Sequence, residues 1–125
     1  NELTTLRFYQ VIRQRTSNPL LSTILGDIIA QEALHYAFYR ESAIERLDGN
    51  ERAQRITRYA LTHLWRPVGL GLRCRSDVDR LLGLLLAPKP DLVRQIDASI
   101  ASMPGLASTR LIESELAAVT IRAAA

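Results

Sequence analysis

The chain has 125 residues, 47% of them hydrophobic and 23% charged, a length and balance that fit one domain and exclude a disordered segment. No apolar run approaches the roughly 18 residues of a bilayer span, and the single cysteine, Cys74, excludes an internal disulfide framework and any thiolate-clustered zinc or iron–sulfur site. Sixteen Lys and Arg against 13 Asp and Glu leave a formal net charge of +3, too small by itself to point to nucleic acid.

The composition predicts an all-α fold. Leu, Ala, Arg, Ile and Glu dominate, strict alternation is rare and aromatic residues are only 6%. A first helix is expected from Glu2 to about Thr16, ending at Ser17-Asn18-Pro19, where Asn18 can cap the next helix and Pro19 suits its first turn. That second helix is the longest, from about Pro19 to Leu47, with Leu20, Leu21, Ile24, Leu25, Ile28 and Ile29 around much of its circumference, as a central bundle helix requires. Asp48-Gly49-Asn50 ends it. A third helix, Glu51 to Trp65, is expected to turn Ile56, Tyr59, Ala60 and Leu64 toward the core before Arg66-Pro67.

Gly69-Leu70-Gly71 reads as a flexible connection, since no strand precedes it and no third glycine completes a dinucleotide-binding turn. Ser76, Asp77 and Asp79 open a fourth helix through the leucine run ending at Leu86. Pro88-Lys89-Pro90 closes it, and Asp91 starts a fifth that ends near Met103-Pro104-Gly105. A last helix is expected from about Ser108 to Ile121, before a fraying alanine tail. The whole is read as one domain, with residues 1–67 carrying the chemistry and residues 68–125 adding helices to the same core. The chain opens at Asn1 directly into helical sequence, which suggests a natural N-terminus further upstream.

Charge is unevenly spread. Between Glu51 and Asp77 there is no acidic residue, while Arg52, Arg55, Arg58, Arg66, Arg73 and Arg75 all fall there. Arg52, Arg55 and Arg58 recur every third residue, keeping their guanidinium groups within one helical face able to grip carboxylates or phosphates. The block lacks interleaved aromatics, which disfavours nucleic acid as the partner.

One motif carries chemistry. Glu32-Ala33-Leu34-His35 sets a carboxylate and an imidazole about 60° apart on one face of the longest helix. The helix is apolar on nearly every side upstream, so this face is expected to be buried, where a carboxylate beside an imidazole calls for a compensating charge. A metal supplies one, and carboxylate and imidazole ligands without thiolates suit iron or manganese. Glu2 strengthens the reading. It lies 30 residues before Glu32, and around the turn at Ser17 to Pro19 the two antiparallel arms are about 15 and 13 residues long. At ~1.5 Å rise per residue, Glu2 and Glu32 come level.

The run Gly26 to Arg40, with Gln31-Glu32-Ala33-Leu34-His35 at its centre, resembles the second ligand helix of ferritin-like di-iron proteins, most closely the soluble acyl-carrier-protein desaturases. Asn1-Glu2-Leu3-Thr4-Thr5 is similar to the family's preceding ligand helix, and the resemblance covers about residues 1–67. It implies a ferritin-like helical bundle, with Glu2 as the lone glutamate ligand, Glu32 as the bridging glutamate and His35 as the histidine ligand of a centre of two iron ions (Fe2+), manganese being the alternative metal. It further implies an oxidoreductase that uses dioxygen on a long apolar acyl substrate in the cytoplasm, an acyl carrier protein docking on Arg52, Arg55 and Arg58, and an electron donor such as ferredoxin. Phe8, Ile28 and Phe38, beside the ligands, are candidates for walling an acyl channel.

Two departures point to a diverged relative. Gln31 stands where the family has aspartate and Leu34 where it has arginine, removing two charges that orient and tune the metal ligands. The chain also carries one half of the family's ligand set. His63 has no glutamate three residues upstream and reads as a structural or surface histidine. The missing half is expected from an upstream segment of a longer protein, or from a second copy forming a homodimer about a twofold axis. Otherwise the site is vestigial, and the chain is a non-catalytic helical interaction domain that has lost its metal.

Overall fold

A computed structural model describes residues 1–124; the last residue of the alanine tail, Ala125, lies outside the described residues. Six helices account for the regular structure: α1 (Glu2–Arg15), α2 (Pro19–Leu47), α3 (Glu51–His63), α4 (Arg75–Leu85), α5 (Pro90–Ala101) and α6 (Leu111–Ala123). Among the described residues there is no strand, only an isolated bridge between Leu70 and Arg73. The protein is all-α, and no described helix is long and apolar enough to cross a membrane.

The turns sit where the sequence punctuates the chain. Asn18 caps α2, its Oδ1 accepting from the Leu21 N–H at 3.1 Å, and Pro19 follows as the first helical residue, where no N–H is needed. Gly49 adopts a left-handed φ of +63° to end α2, and Asn50 caps α3 by accepting from the Ala53 N–H at 3.0 Å. The chain divides into two compact units, residues 1–42 and 43–125.

The first unit is a helical hairpin of α1 and most of α2. Its α1 buries Leu3, Thr4, Leu6, Phe8 and Val11, and its α2 buries Leu25. The Arg13 side chain lies across α2, its Nε donating to Ser22 Oγ at 3.5 Å. Gly26 makes room for it: a Cβ there would stand 3.3 Å from the guanidinium.

Two expectations about burial are corrected. The second helix is not central within this chain: Leu20, Leu21, Ile24, Leu34, Phe38 and Tyr39 are all exposed. On α3, Ile56 and Tyr59 are exposed rather than core-facing, as is Leu64 just past its end, and Ala60 is half-buried. The periodicity marks an apolar side of each helix, but apolar spacing alone does not decide whether that side is covered.

The second unit has its core in the last three helices. Val78, Leu82 and Leu85 on α4 repeat at helical spacing, and with Leu86, Val93, Ile96, Leu106 and Ile112 they are almost wholly buried. Each such side chain contributes on the order of 1.5–3 kcal/mol of transfer free energy. The last helix packs on both α4 and α5. It begins at Leu111 rather than near Ser108, because its first turn is held from another helix. Asp97, in the middle of α5 and 2% exposed, accepts the Ile112 N–H on Oδ1 and the Glu113 N–H on Oδ2, both at 3.0 Å. These are two of the four N–H groups that a helix start leaves without internal partners.

A four-membered charge cluster ties α4 to α6. Asp79 takes two hydrogen bonds from Arg122, at 2.8 and 2.9 Å, and one from Arg75 at 3.1 Å, while Glu115 is paired with both arginines. Arg122 above all, opposed by burial and aided by Arg75, holds the Asp79 carboxyl below its ordinary range. The same partner raises Arg122. At Gly105 the backbone is left-handed, with φ +77°, and the Gln54 side chain occupies the space a Cβ would need, so only glycine fits.

Candidate metal centre

The hairpin of α1 and α2 brings the three predicted ligands together. Glu2 stands in the first turn of α1, and Glu32 and His35 follow one helical turn apart in α2. Each offers one ligand atom, and these atoms all lie within 4.8 Å of one another. Arms of matched length on either side of a capped turn produce this level alignment across 30 residues of sequence.

Burial is graded across the cluster. The Glu32 side chain is 21% exposed and His35 is 62% exposed, so the expected buried ligand face is half-buried at the carboxylate and open to solvent at the imidazole. His35 Nδ1 lies 3.9 Å from Glu32 Oε2, beyond hydrogen-bonding distance. That oxygen is shut off from solvent and unpaired while both acids are ionised, since its acidic neighbour then has no proton to donate. Hydrogen bonding with the Glu2 carboxyl, then burial, then the negative charge of Glu2 push the Glu32 carboxyl above its ordinary range, while His35 pulls it down. Two carboxylates held together in this way repel unless they share a proton or a cation.

The donor set fits a first-row transition metal: two carboxylates and one imidazole, with a buried carboxylate oxygen that is left unpaired when both acids are ionised. Three donors leave coordination positions open. Glu2 and Glu32 carry the charge that a divalent cation neutralises, and His35 adds a nitrogen from the exposed side.

The other predicted residues are placed as follows. Phe8 is buried, Ile28 is half-buried and Phe38 is exposed, its ring meeting Tyr39 edge-on at 5.5 Å. Phe38 therefore walls no enclosed channel within this chain. Arg52, Arg55 and Arg58 are all exposed along α3, and Arg58 also reaches the Gly105 carbonyl at 3.5 Å. His63 is exposed and stacks on Tyr59 at 4.5 Å between ring centres.

Sequence reasoning passed over Asp97 and the cluster of Arg75, Asp79, Glu115 and Arg122. The second was visible in principle: Arg75 and Asp79 are four residues apart, and Glu115 and Arg122 seven, each pair on one helical face. Asp97 gave no signal, because its partners are backbone N–H groups on a different helix.

No protein-family model matches the chain, and neither a curated protein nor a solved structure is significantly similar to it.

Proposed function

We propose that Glu2, Glu32 and His35 hold a redox-active divalent metal, iron before manganese, and that the chain is part of a ferritin-like oxidoreductase acting with dioxygen on a long apolar acyl substrate in the cytoplasm. The observation that carries the reading is the convergence within 4.8 Å of one ligand atom from Glu2 and one each from Glu32 and His35, 30 or more residues further on. Its support beyond geometry is the resemblance of residues 1–67 to the acyl-carrier-protein desaturases.

When bound, iron would supply the oxidising power toward a C–H bond that no side chain has. The protein's own residues do the rest. Glu2 and Glu32 would hold the cation and supply the negative charge that neutralises it, and a bound cation would relieve the repulsion that raises the Glu32 carboxyl. His35 supplies the nitrogen that distinguishes this site from an all-oxygen calcium or magnesium site. Phe8 and Ile28 supply apolar surface on the same hairpin. The exposed guanidinium groups of Arg52, Arg55 and Arg58 suit an acidic carrier protein, and an electron donor such as ferredoxin would complete the cycle.

Oxygen uptake by the ferrous-loaded chain, with a reductant and an acyl thioester of the carrier, tests the reading. Turnover that disappears in His35→Ala while the helical circular dichroism is unchanged is expected. Oxidation no faster than that of free ferrous iron would contradict it.

One observation favours a second reading, a helical interaction domain without metal. The imidazole is 62% exposed and makes no hydrogen bond to Glu32, as for a histidine retained at a surface. In that case His35→Ala would cost less than the ~1–3 kcal/mol of a lost buried hydrogen bond and would change no metal affinity.

A further inference from the structure

The second unit holds a cleft in which none of the metal-cluster residues takes part. It is about 490 Å³ in volume and is lined from the end of α3 and from the start of α6, a size within the ~300–1,000 Å³ of small-molecule sites. Leu61 and Trp65 give it apolar surface. Thr62, Ser108 and Ser114 bring exposed hydroxyls to it, and Thr109 a buried one.

Thr109 calls for a partner. The residue is 6% exposed, and its hydroxyl is shut off from solvent with no hydrogen-bond partner among the described residues. A buried hydroxyl left unpaired is unfavourable. One staggered step of χ1 exchanges the hydroxyl with the methyl group of the same side chain, so a polar ligand seated in the cleft can give it a partner.

Charge decides the class of ligand. A helix start ordinarily favours an anion, but at α6 the buried Asp97 carboxylate already takes the N–H groups of Ile112 and Glu113. The lining itself is balanced, with one cation, Arg110, and one anion, Glu115. Glu115 is held by Arg75 and Arg122. Arg110 is 60% exposed and lies 3.7 Å from Glu113, a surface pairing weak enough to be exchanged for a ligand oxygen.

We infer that this cleft binds a neutral polyhydroxylated ligand, a saccharide. The C–H face of a sugar ring matches the indole of Trp65 and the Leu61 side chain. Its hydroxyls, each both donor and acceptor, match the four Ser and Thr hydroxyls, the Arg110 donors and the Glu115 acceptor. A phosphate or carboxylate would find the positive end of α6 already taken by Asp97. The site lies wholly within residues 43–125 and does not rest on the metal reading.

Trp65 is the only tryptophan in the chain, so its fluorescence reports on the cleft. Titration of the full chain with glucose, maltose and cellobiose is expected to give a saturable change in emission with one of them, and none with inorganic phosphate or adenosine monophosphate. Thr109→Val removes the hydroxyl while keeping the shape. It is expected to weaken the sugar about tenfold, the equivalent of one lost hydrogen bond, with stability in urea no lower than that of wild type. Arg110→Ala is expected to weaken the sugar with unchanged helical circular dichroism. No saturable response to any of the three sugars would overturn the inference, and a response to phosphate alone would overturn it in favour of an anion site. So would a sugar response indifferent to Thr109→Val, which places the sugar elsewhere, or a Thr109→Val chain less stable than wild type, which gives the hydroxyl a structural partner.

Discussion

At the scale of single residues, two carboxyl groups are held together at a cost to stability. Glu2 and Glu32 are held close enough to push the Glu32 carboxyl up, so the metal-free folded state binds its proton more tightly than the unfolded chain does. The pair is therefore best tolerated at acid pH and weakens the fold as pH rises through the raised Glu32 value. Glu2→Gln is expected to stabilise the metal-free chain at neutral pH while lowering its metal affinity, opposite signs that urea denaturation and a cobalt titration would read separately. Asp97 is the contrasting case. It accepts two N–H groups of α6 from a buried position, and Asp97→Ala leaves both without a partner. A loss of about 1–3 kcal/mol in urea denaturation is expected, with Asp97→Asn, which keeps one acceptor oxygen, losing less. Equal stability of Asp97→Ala and wild type would mean that water replaces the carboxylate.

At the scale of elements, the cluster between α4 and α6 predicts an acid response. Asp79 is depressed in the folded state, chiefly by Arg122, so its contribution is present above the unfolded value of about 3.9 and is lost as pH falls through the lower folded one. Arg75 and Arg122 are more than a third exposed, and solvent screening keeps the contribution to about 1 kcal/mol. Asp79→Asn is expected to lose that amount at pH 7 and to show a flatter stability profile below pH 4; identical profiles would show that the cluster is decorative. This is also the scale at which the sequence was most readable. Asn18-Pro19, Asp48-Gly49-Asn50 and Pro88-Lys89-Pro90 each enforce a break through local backbone chemistry, so helix ends were legible within a few residues. Which apolar faces are covered was not legible, because Ile56, Tyr59 and Phe38 have the spacing of core residues and are nonetheless exposed. The start of α6 was missed for a related reason: its cap comes from Asp97, distant in sequence and on a different helix.

At the scale of the whole molecule, the second unit has a well-buried helical core, and the first is a hairpin that gathers Glu2, Glu32 and His35 and leaves Leu20, Leu34 and Phe38 of α2 exposed. The convergence of Glu2, Glu32 and His35 was legible because they are linked by helical arithmetic around one turn; the 62% exposure of the His35 side chain was not, since spacing fixes which face a residue is on and not how deeply it is buried. A native mass spectrum after anaerobic loading with ferrous iron tests the central claim most directly. The account predicts iron bound stoichiometrically per chain by wild type and lost in both Glu32→Gln and His35→Ala. An iron-free spectrum, or iron retained when His35 is replaced, would contradict it.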